Sequence, residues 1–253
     1  MTTLAARNEA LTADTITISG HGGDEIEAYL ATPLDDQPKG GVVLIHHMPG
    51  YDWATKELAR RFAAHGYNAV CPNLHHRDAP GAEPDEAAAA SRAAGGVPDE
   101  QLVGDIVGAS EHLKELASSN GKVGVIGYCS GGRQAFLAAA EAGVDAAVDC
   151  YGPFVIGTPP EAIGLSIGPI VHLAPKVSAP ILGLFGADDV YPPKEEAAEL
   201  ESVLKEHGKE VDFHIFDGAG HAFFAVDKPS YRPEVAEQAW ALIFNFFGKH
   251  LSA

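Results

Sequence analysis

Cysteine and histidine are the residues here whose types and spacing could do covalent chemistry, and one cysteine stands in a setting of its own. Cys129 is the centre of Gly127-Tyr128-Cys129-Ser130-Gly131-Gly132, which follows the apolar run Val123–Ile126 and precedes an alanine-rich stretch. A strand that turns at once into a helix around Gly-x-Cys-x-Gly is a nucleophile elbow with cysteine in the place of serine. Such a turn strains its central residue, and the flanking glycines keep side chains out of the crowded corner. The frame selects Cys129 over Ser130, because Gly127 and Gly131 flank the cysteine at two residues on each side, whereas Tyr128 would take the first glycine's place for the serine. The N-terminus of the following helix also favours a thiolate at this point.

A thiol nucleophile needs a base, and the base needs a group to orient it. Phe185-Gly186-Ala187-Asp188-Asp189 closes an apolar run, and Asp189 fits a Gly-x-x-Asp pattern ahead of a proline-containing stretch, with Asp188 as the alternative. Phe216-Asp217-Gly218-Ala219-Gly220-His221 places a histidine on a small-residue loop after the last strand-like run. Nucleophile, acid and histidine in that chain order are the order of the α/β-hydrolases. In such a site His221 takes the proton of Cys129 and later gives it to the leaving alkoxide, while Asp189 fixes the imidazole tautomer. Water then hydrolyses an acyl thioester. The backbone N–H groups of Ser130 and of Met48, just beyond the run Val42–Ile45, are the expected oxyanion donors.

These residues must be carried to one edge of a sheet. Thr15–Ile18 and Glu27–Ala31 read as two short strands joined by a turn around Gly20–Asp24. Strands follow at Val42–Ile45, Ala69–Cys71, Val123–Ile126, Ala146–Cys150, Ile181–Phe185 and Val211–Phe216. Helices read at Trp53–His65, Gln101–Leu116, Gly132–Ala142, Lys194–His207 and Pro233–His250. This alternation predicts an α/β-hydrolase fold, a mostly parallel twisted sheet with helices on both faces, in one domain over residues 1–253. Ligands bind beyond the carboxyl ends of the strands in such sheets. Two stretches break the rhythm: Ala79–Pro98, with a short helix over Glu83–Ala94, and Pro153–Val177, a long connection without strand period. Both follow strand ends and could border a site.

Composition narrows the partners. The 253 residues include 35 acidic and 17 basic side chains, a formal charge of -18. Such a chain repels phosphate backbones and anionic lipid, so nucleic acid and membrane are not expected partners. No run reaches the roughly 18 apolar residues of a membrane span, and Met1 to Thr15 has neither the basic start nor the apolar core of a signal peptide. Three irregularly spaced cysteines, Cys71, Cys129 and Cys150, make neither a disulfide framework nor a metal knuckle, and suit a reducing cytoplasm. A small-molecule ester or lactone is the expected partner, with the chain as monomer or homodimer.

With the elbow on the page, the chain resembles the dienelactone hydrolase family, the cysteine-nucleophile branch of the α/β-hydrolases. Besides Gly127–Gly132, the similar segments are Gly66-Tyr67-Asn68-Ala69-Val70-Cys71-Pro72, Arg77 with Ala79-Pro80-Gly81, Gly121-Lys122-Val123-Gly124, and Ala219-Gly220-His221. The resemblance implies hydrolysis of an unsaturated lactone acid in the breakdown of aromatic catechols, without metal or organic cofactor. It also implies that Arg77 holds the substrate carboxylate, a bidentate task suited to guanidinium. Two departures stand out. His47, in His46-His47-Met48-Pro49-Gly50, occupies the place of a family glutamate that pairs with the cysteine; it is expected to wall the pocket or to help form the thiolate. A second family arginine is missing after His221, where Ala222-Phe223-Phe224-Ala225 predicts an apolar pocket floor with Phe223 against the substrate. One charge-assisted contact fewer, worth roughly 1.5–3 kcal/mol, points to neutral or aromatic esters, or phosphotriesters, in preference to the lactone acid.

Two readings from other classes compete. The pairs His46-His47 and His75-His76 follow strands whose ends should be neighbours and could hold zinc, although adjacent residues of an extended chain point opposite ways. A hydrolase-fold protein can also bind without catalysing, in which case one member of the nucleophile, acid and histidine set should be lost. None is lost here.

Overall fold

The computed structural model describes residues 11–35 and 37–252; the polar N-terminal stretch, and with it most of the Met1 to Thr15 segment, lies outside them. Among the described residues eight strands form one sheet: β1 (Leu11–Ser19), β2 (Glu25–Pro33), β3 (Lys39–Ile45), β4 (Asn68–Pro72), β5 (Ser119–Tyr128), β6 (Ala146–Cys150), β7 (Ile181–Gly186) and β8 (Val211–Phe216). Among the described residues six α-helices accompany them: α1 (Trp53–Ala64), α2 (Pro84–Ala93), α3 (Asp99–Glu115), α4 (Ser130–Glu141), α5 (Lys194–Glu206) and α6 (Pro233–His250). The strand order is β1-β2-β4-β3-β5-β6-β7-β8. β1 and β2 pair antiparallel, β2 joins β4 antiparallel, and every later pairing is parallel. This is the expected mostly parallel α/β sheet with an antiparallel lead-in.

The central strands show why both faces must be covered. Every residue of β3, β4, β6 and β7 is buried. Successive side chains of a strand point to opposite faces, and the core divides accordingly. Val43, Ile45 and Val125 pack with α3, α4 and α5 through Ile106, Leu113, Phe136 and Leu200. Val42, Leu44 and Ile126 pack with α1 and α6 through Phe62, Trp240, Ile243 and Phe247. Full burial of each such aliphatic or aromatic side chain contributes about 1.5–3 kcal/mol, so the sheet is held from both sides. Cys71 and Cys150 are free and buried within these layers.

Several strands run longer than their apolar runs. β1 is largely exposed along Thr12, Asp14, Thr15 and Thr17, so polar residues at the sheet edge hide a ladder that spans Leu11 to Ser19 opposite Glu25 to Pro33. β5 begins at the polar Ser119, which pairs with Lys39. Among the described residues no helix is long and apolar enough to cross a membrane.

Candidate active site

The elbow forms because backbone crowds backbone at the end of β5. A Cβ on Gly127 would collide with the Gly131 carbonyl, and one on Gly131 with the Ile45 carbonyl. Cys129 between them has φ 56° and ψ -122° and caps α4. The non-glycine residues with positive φ among the described residues are Cys129, Tyr151, Phe154 and Ala222. All four line one of the two cavities that meet at Cys129, the clustering of backbone strain that functional sites show.

Asp189 lies just beyond β7 and is nearly buried. Its Oδ2 is 2.9 Å from Nδ1 of His221, and its Oδ1 accepts the Tyr191 amide at 2.9 Å. Asp188 instead has its amide on the Ala219 carbonyl, while the side chain of Asp189 alone meets the imidazole. With Nδ1 committed to Asp189, Cys129 is the other group that acts on the His221 imidazole. Burial pushes the His221 imidazole down, but the hydrogen bonds and charges of Asp189 and Cys129 outweigh it and raise His221 to about 10. The ring of Tyr151 packs edge-on to it, with centroids 5.1 Å apart.

One cavity, of about 430 Å³, runs over Met48, Cys129 and Ser130 and is walled by Val97, Phe154, Ile163, Leu165, Ile167 and Val190. The two irregular stretches of the chain thus supply much of its wall, and the Ser166 amide donates to the Gly95 carbonyl to join them at 2.9 Å. Neither the Met48 nor the Ser130 amide donates to a protein acceptor among the described residues, so both are free for an anionic oxygen beside Cys129. A second cavity, of about 410 Å³, lies across the Cys129–His221 pair and is lined by His47, Leu58, Tyr128, Tyr151, Phe224 and Val226, with Arg61 and Lys228 among its polar residues.

Two expectations need correction. Arg77 lines neither cavity. Its guanidinium makes bidentate bonds to the buried Asp105, at 2.9 and 3.0 Å, and a further bond to Asp24 at 2.9 Å, so its donors are taken up within the fold. Replacing Arg77 by alanine leaves the Asp105 carboxylate buried and unpaired, at an expected cost of about 3–5 kcal/mol. A lowered midpoint in thermal or urea unfolding, with the KM for an anionic lactone unchanged, checks this. A higher KM at unchanged stability would return Arg77 to the substrate. Phe223 is also misplaced: it is fully buried against Tyr151, Phe216 and Phe224. Its neighbours Ala222, Phe224 and Ala225 form the cavity floor instead.

One histidine of each pair, His46 and His75, does meet the other, with ring centroids 4.8 Å apart, but they leave no metal site. The Leu74 amide donates to His46 Nε2 at 3.1 Å, and His46 Nδ1 meets the His47 carbonyl at 2.8 Å, which leaves His46 no free lone pair for a metal. Burial pushes His46 down to about 3 and His75, stacked edge-on against it, down to about 4. Among the described residues no group of three or more His, Cys, Asp or Glu could hold a metal ion. His47 bonds Asp52 Oδ2 through Nε2 at 2.9 Å.

Sequence reasoning passed over Asp52, Tyr151, Arg133 and Asp149. Asp52 was legible as the cap of α1, since Asp-x-x-Thr is an N-cap pattern and its Oδ1 accepts the Thr55 amide at 2.8 Å. Tyr151 follows a strand end, the position this fold gives to ligand-binding residues. Arg133, one helical turn beyond Cys129, is buried in the first cavity's wall on Asp99 at 2.7 and 3.1 Å. Asp149 accepts the Gly152 amide at 2.8 Å behind the elbow, and burial pushes its carboxyl up to about 7; no motif in the chain announces it.

A parallel sheet with an antiparallel edge, a strained cysteine at a strand-to-helix turn, and a histidine held by a carboxylate define an α/β-hydrolase. The model of the dienelactone hydrolase family matches residues 26–251, and the chain belongs to that family. It is 31% identical over 235 residues to an Escherichia coli K12 protein described as "Putative carboxymethylenebutenolidase", covering 90% of this chain and 84% of that one. A crystal structure described as "Putative Dienelactone Hydrolase" from Klebsiella pneumoniae superposes with a TM-score of 0.82 at 27% identity, over 94% of this chain and 99% of that one. A dienelactone hydrolase-like promiscuous phosphotriesterase from metagenomic libraries matches with a TM-score of 0.74 at 20% identity, over 96% of this chain and 100% of that one. That last likeness is one of fold. This protein is therefore a dienelactone hydrolase-like hydrolase.

Proposed function

We propose that this hydrolase cleaves neutral carboxylic esters and lactones through a Cys129–His221–Asp189 triad and an acyl-thioester intermediate. The observation that carries the reading is His221, held at Nδ1 by Asp189 and lining both cavities together with the strained Cys129. An imidazole raised to about 10 keeps its proton beside the sulfur in the resting enzyme. The thiolate attacks the ester carbonyl, and the developing oxyanion takes the free amides of Met48 and Ser130. His221 then gives its proton to the departing alkoxide, and water completes the second step.

The walls favour an apolar acyl group in the first cavity, and the second is left for the alcohol. A volume of about 430 Å³ exceeds what a small lactone acid would fill, and Arg77 is engaged elsewhere. Turnover of aryl and medium-chain nitrophenyl esters should therefore exceed that of dienelactone in kcat/KM, by about tenfold or more if a charge-assisted carboxylate contact is missing. Steady-state kinetics on the two substrate sets tests this; a strong preference for dienelactone would overturn the substrate assignment.

A further inference from the structure

We propose that His47 is a second base of this site, whose Nδ1 takes the proton of the water that hydrolyses the acyl-Cys129 intermediate. The assignment rests on the thioester reading above and deepens its second step.

His47 stands at the carboxyl end of β3 and walls the second cavity together with Cys129 and His221. Its Nε2 is 2.9 Å from Asp52 Oδ2, and the other Asp52 oxygen is held by the Thr55 amide. Burial pushes the Asp52 carboxyl up, but the hydrogen bonds from His47 and Thr55 overcome it and hold it at about 2. A carboxylate only accepts hydrogen bonds, so Nε2 carries the proton. In the neutral ring the lone pair is then on Nδ1, which bonds no protein atom among the described residues. The cavity thus holds two imidazoles, each oriented by an aspartate through a different nitrogen: Asp189 holds His221 at Nδ1, and Asp52 holds His47 at Nε2.

The alcohol leaves through the second cavity, and water enters the space it vacates, beside His47. The water oxygen bonds the thioester carbon as its proton passes to His47 Nδ1. The C–S bond then breaks and its electron pair returns to Cys129. The carboxylic acid gives its proton to His221, which restores the resting pair, and His47 releases its own to solvent. Ester and water become carboxylate, alcohol and one proton.

The test is stopped-flow hydrolysis of a neutral nitrophenyl ester by wild type and His47→Gln, whose amide can still donate to Asp52. A positioned base contributes about 10²–10⁴-fold, and with His221 present as a poorer substitute the variant should turn over at least about tenfold more slowly. It should still release one nitrophenolate per chain in a burst at nearly the wild-type rate, accumulate acyl-Cys129 by mass spectrometry, and recover turnover with added imidazole. An unchanged turnover with an unchanged adduct lifetime, or loss of the burst itself, would overturn the role of His47. A wild type that never carries the adduct would overturn the thioester reading along with it.

Discussion

Replacing Cys129 by alanine should lower kcat/KM for a nitrophenyl ester by about 10⁴–10⁶-fold, the size of effect seen when the nucleophile of a triad is removed. The side chain is half-buried between two cavities, so little packing is lost and the variant should unfold near the wild-type midpoint. What disappears is the atom to which the proposed covalent bond is made. The free Met48 and Ser130 amides remain, and they account for the residual rate over water. Serine at the same place should restore only a small part of the activity, because the hydroxyl yields its proton far less readily than the thiol.

The second large effect falls on His221. Replacing it by alanine should cost about as much as losing the nucleophile, because in the proposed mechanism the base for Cys129 and the acid for the leaving group vanish together. Asp189→Asn, which keeps the ring in place but favours the wrong tautomer, should cost somewhat less, about 10⁴-fold. Stability carries a separate signature. His221 is raised from 6.5 to about 10 in the folded chain, so folding binds its proton more tightly. The stability this contributes is complete below about pH 6.5 and is lost as the pH rises through about 10. The gap in thermal midpoint between wild type and Asp189→Asn should therefore narrow from pH 6 towards pH 10. A gap that widened over that range would mean that His221 is not held protonated by Asp189.

What could be read beforehand depended on whether a residue's task is local. The strand Val211–Phe216 and the helix Pro233–His250 end where their apolar patterns end, since burial of one face decides both. The elbow was legible for a similar reason: a strand running straight into a helix leaves room only for glycines two residues to each side of Cys129. Chain order pointed to Asp189 and His221, and the structure brings both beside that cysteine. Tasks set by tertiary neighbours were not legible. Nothing near Arg77 in the chain shows that Asp105, twenty-eight residues on, will bind its guanidinium. Phe223 and Phe224 are alike in sequence, but the positive φ of Ala222 turns the chain so that Phe224, and not Phe223, meets the cavity. His47 could be placed at a strand end, yet which of its nitrogens is free follows only from Asp52 folding back over it.

The central claim is that catalysis passes through a covalent bond to Cys129. Rapid acid quenching of the enzyme during turnover of a nitrophenyl ester, followed by peptide mass spectrometry, tests it most directly. The acyl mass should appear on the peptide that contains Cys129, map to the sulfur, and be absent after Cys129→Ala. Undiminished turnover in that variant, or an acyl group found on Ser130 instead, would contradict the claim.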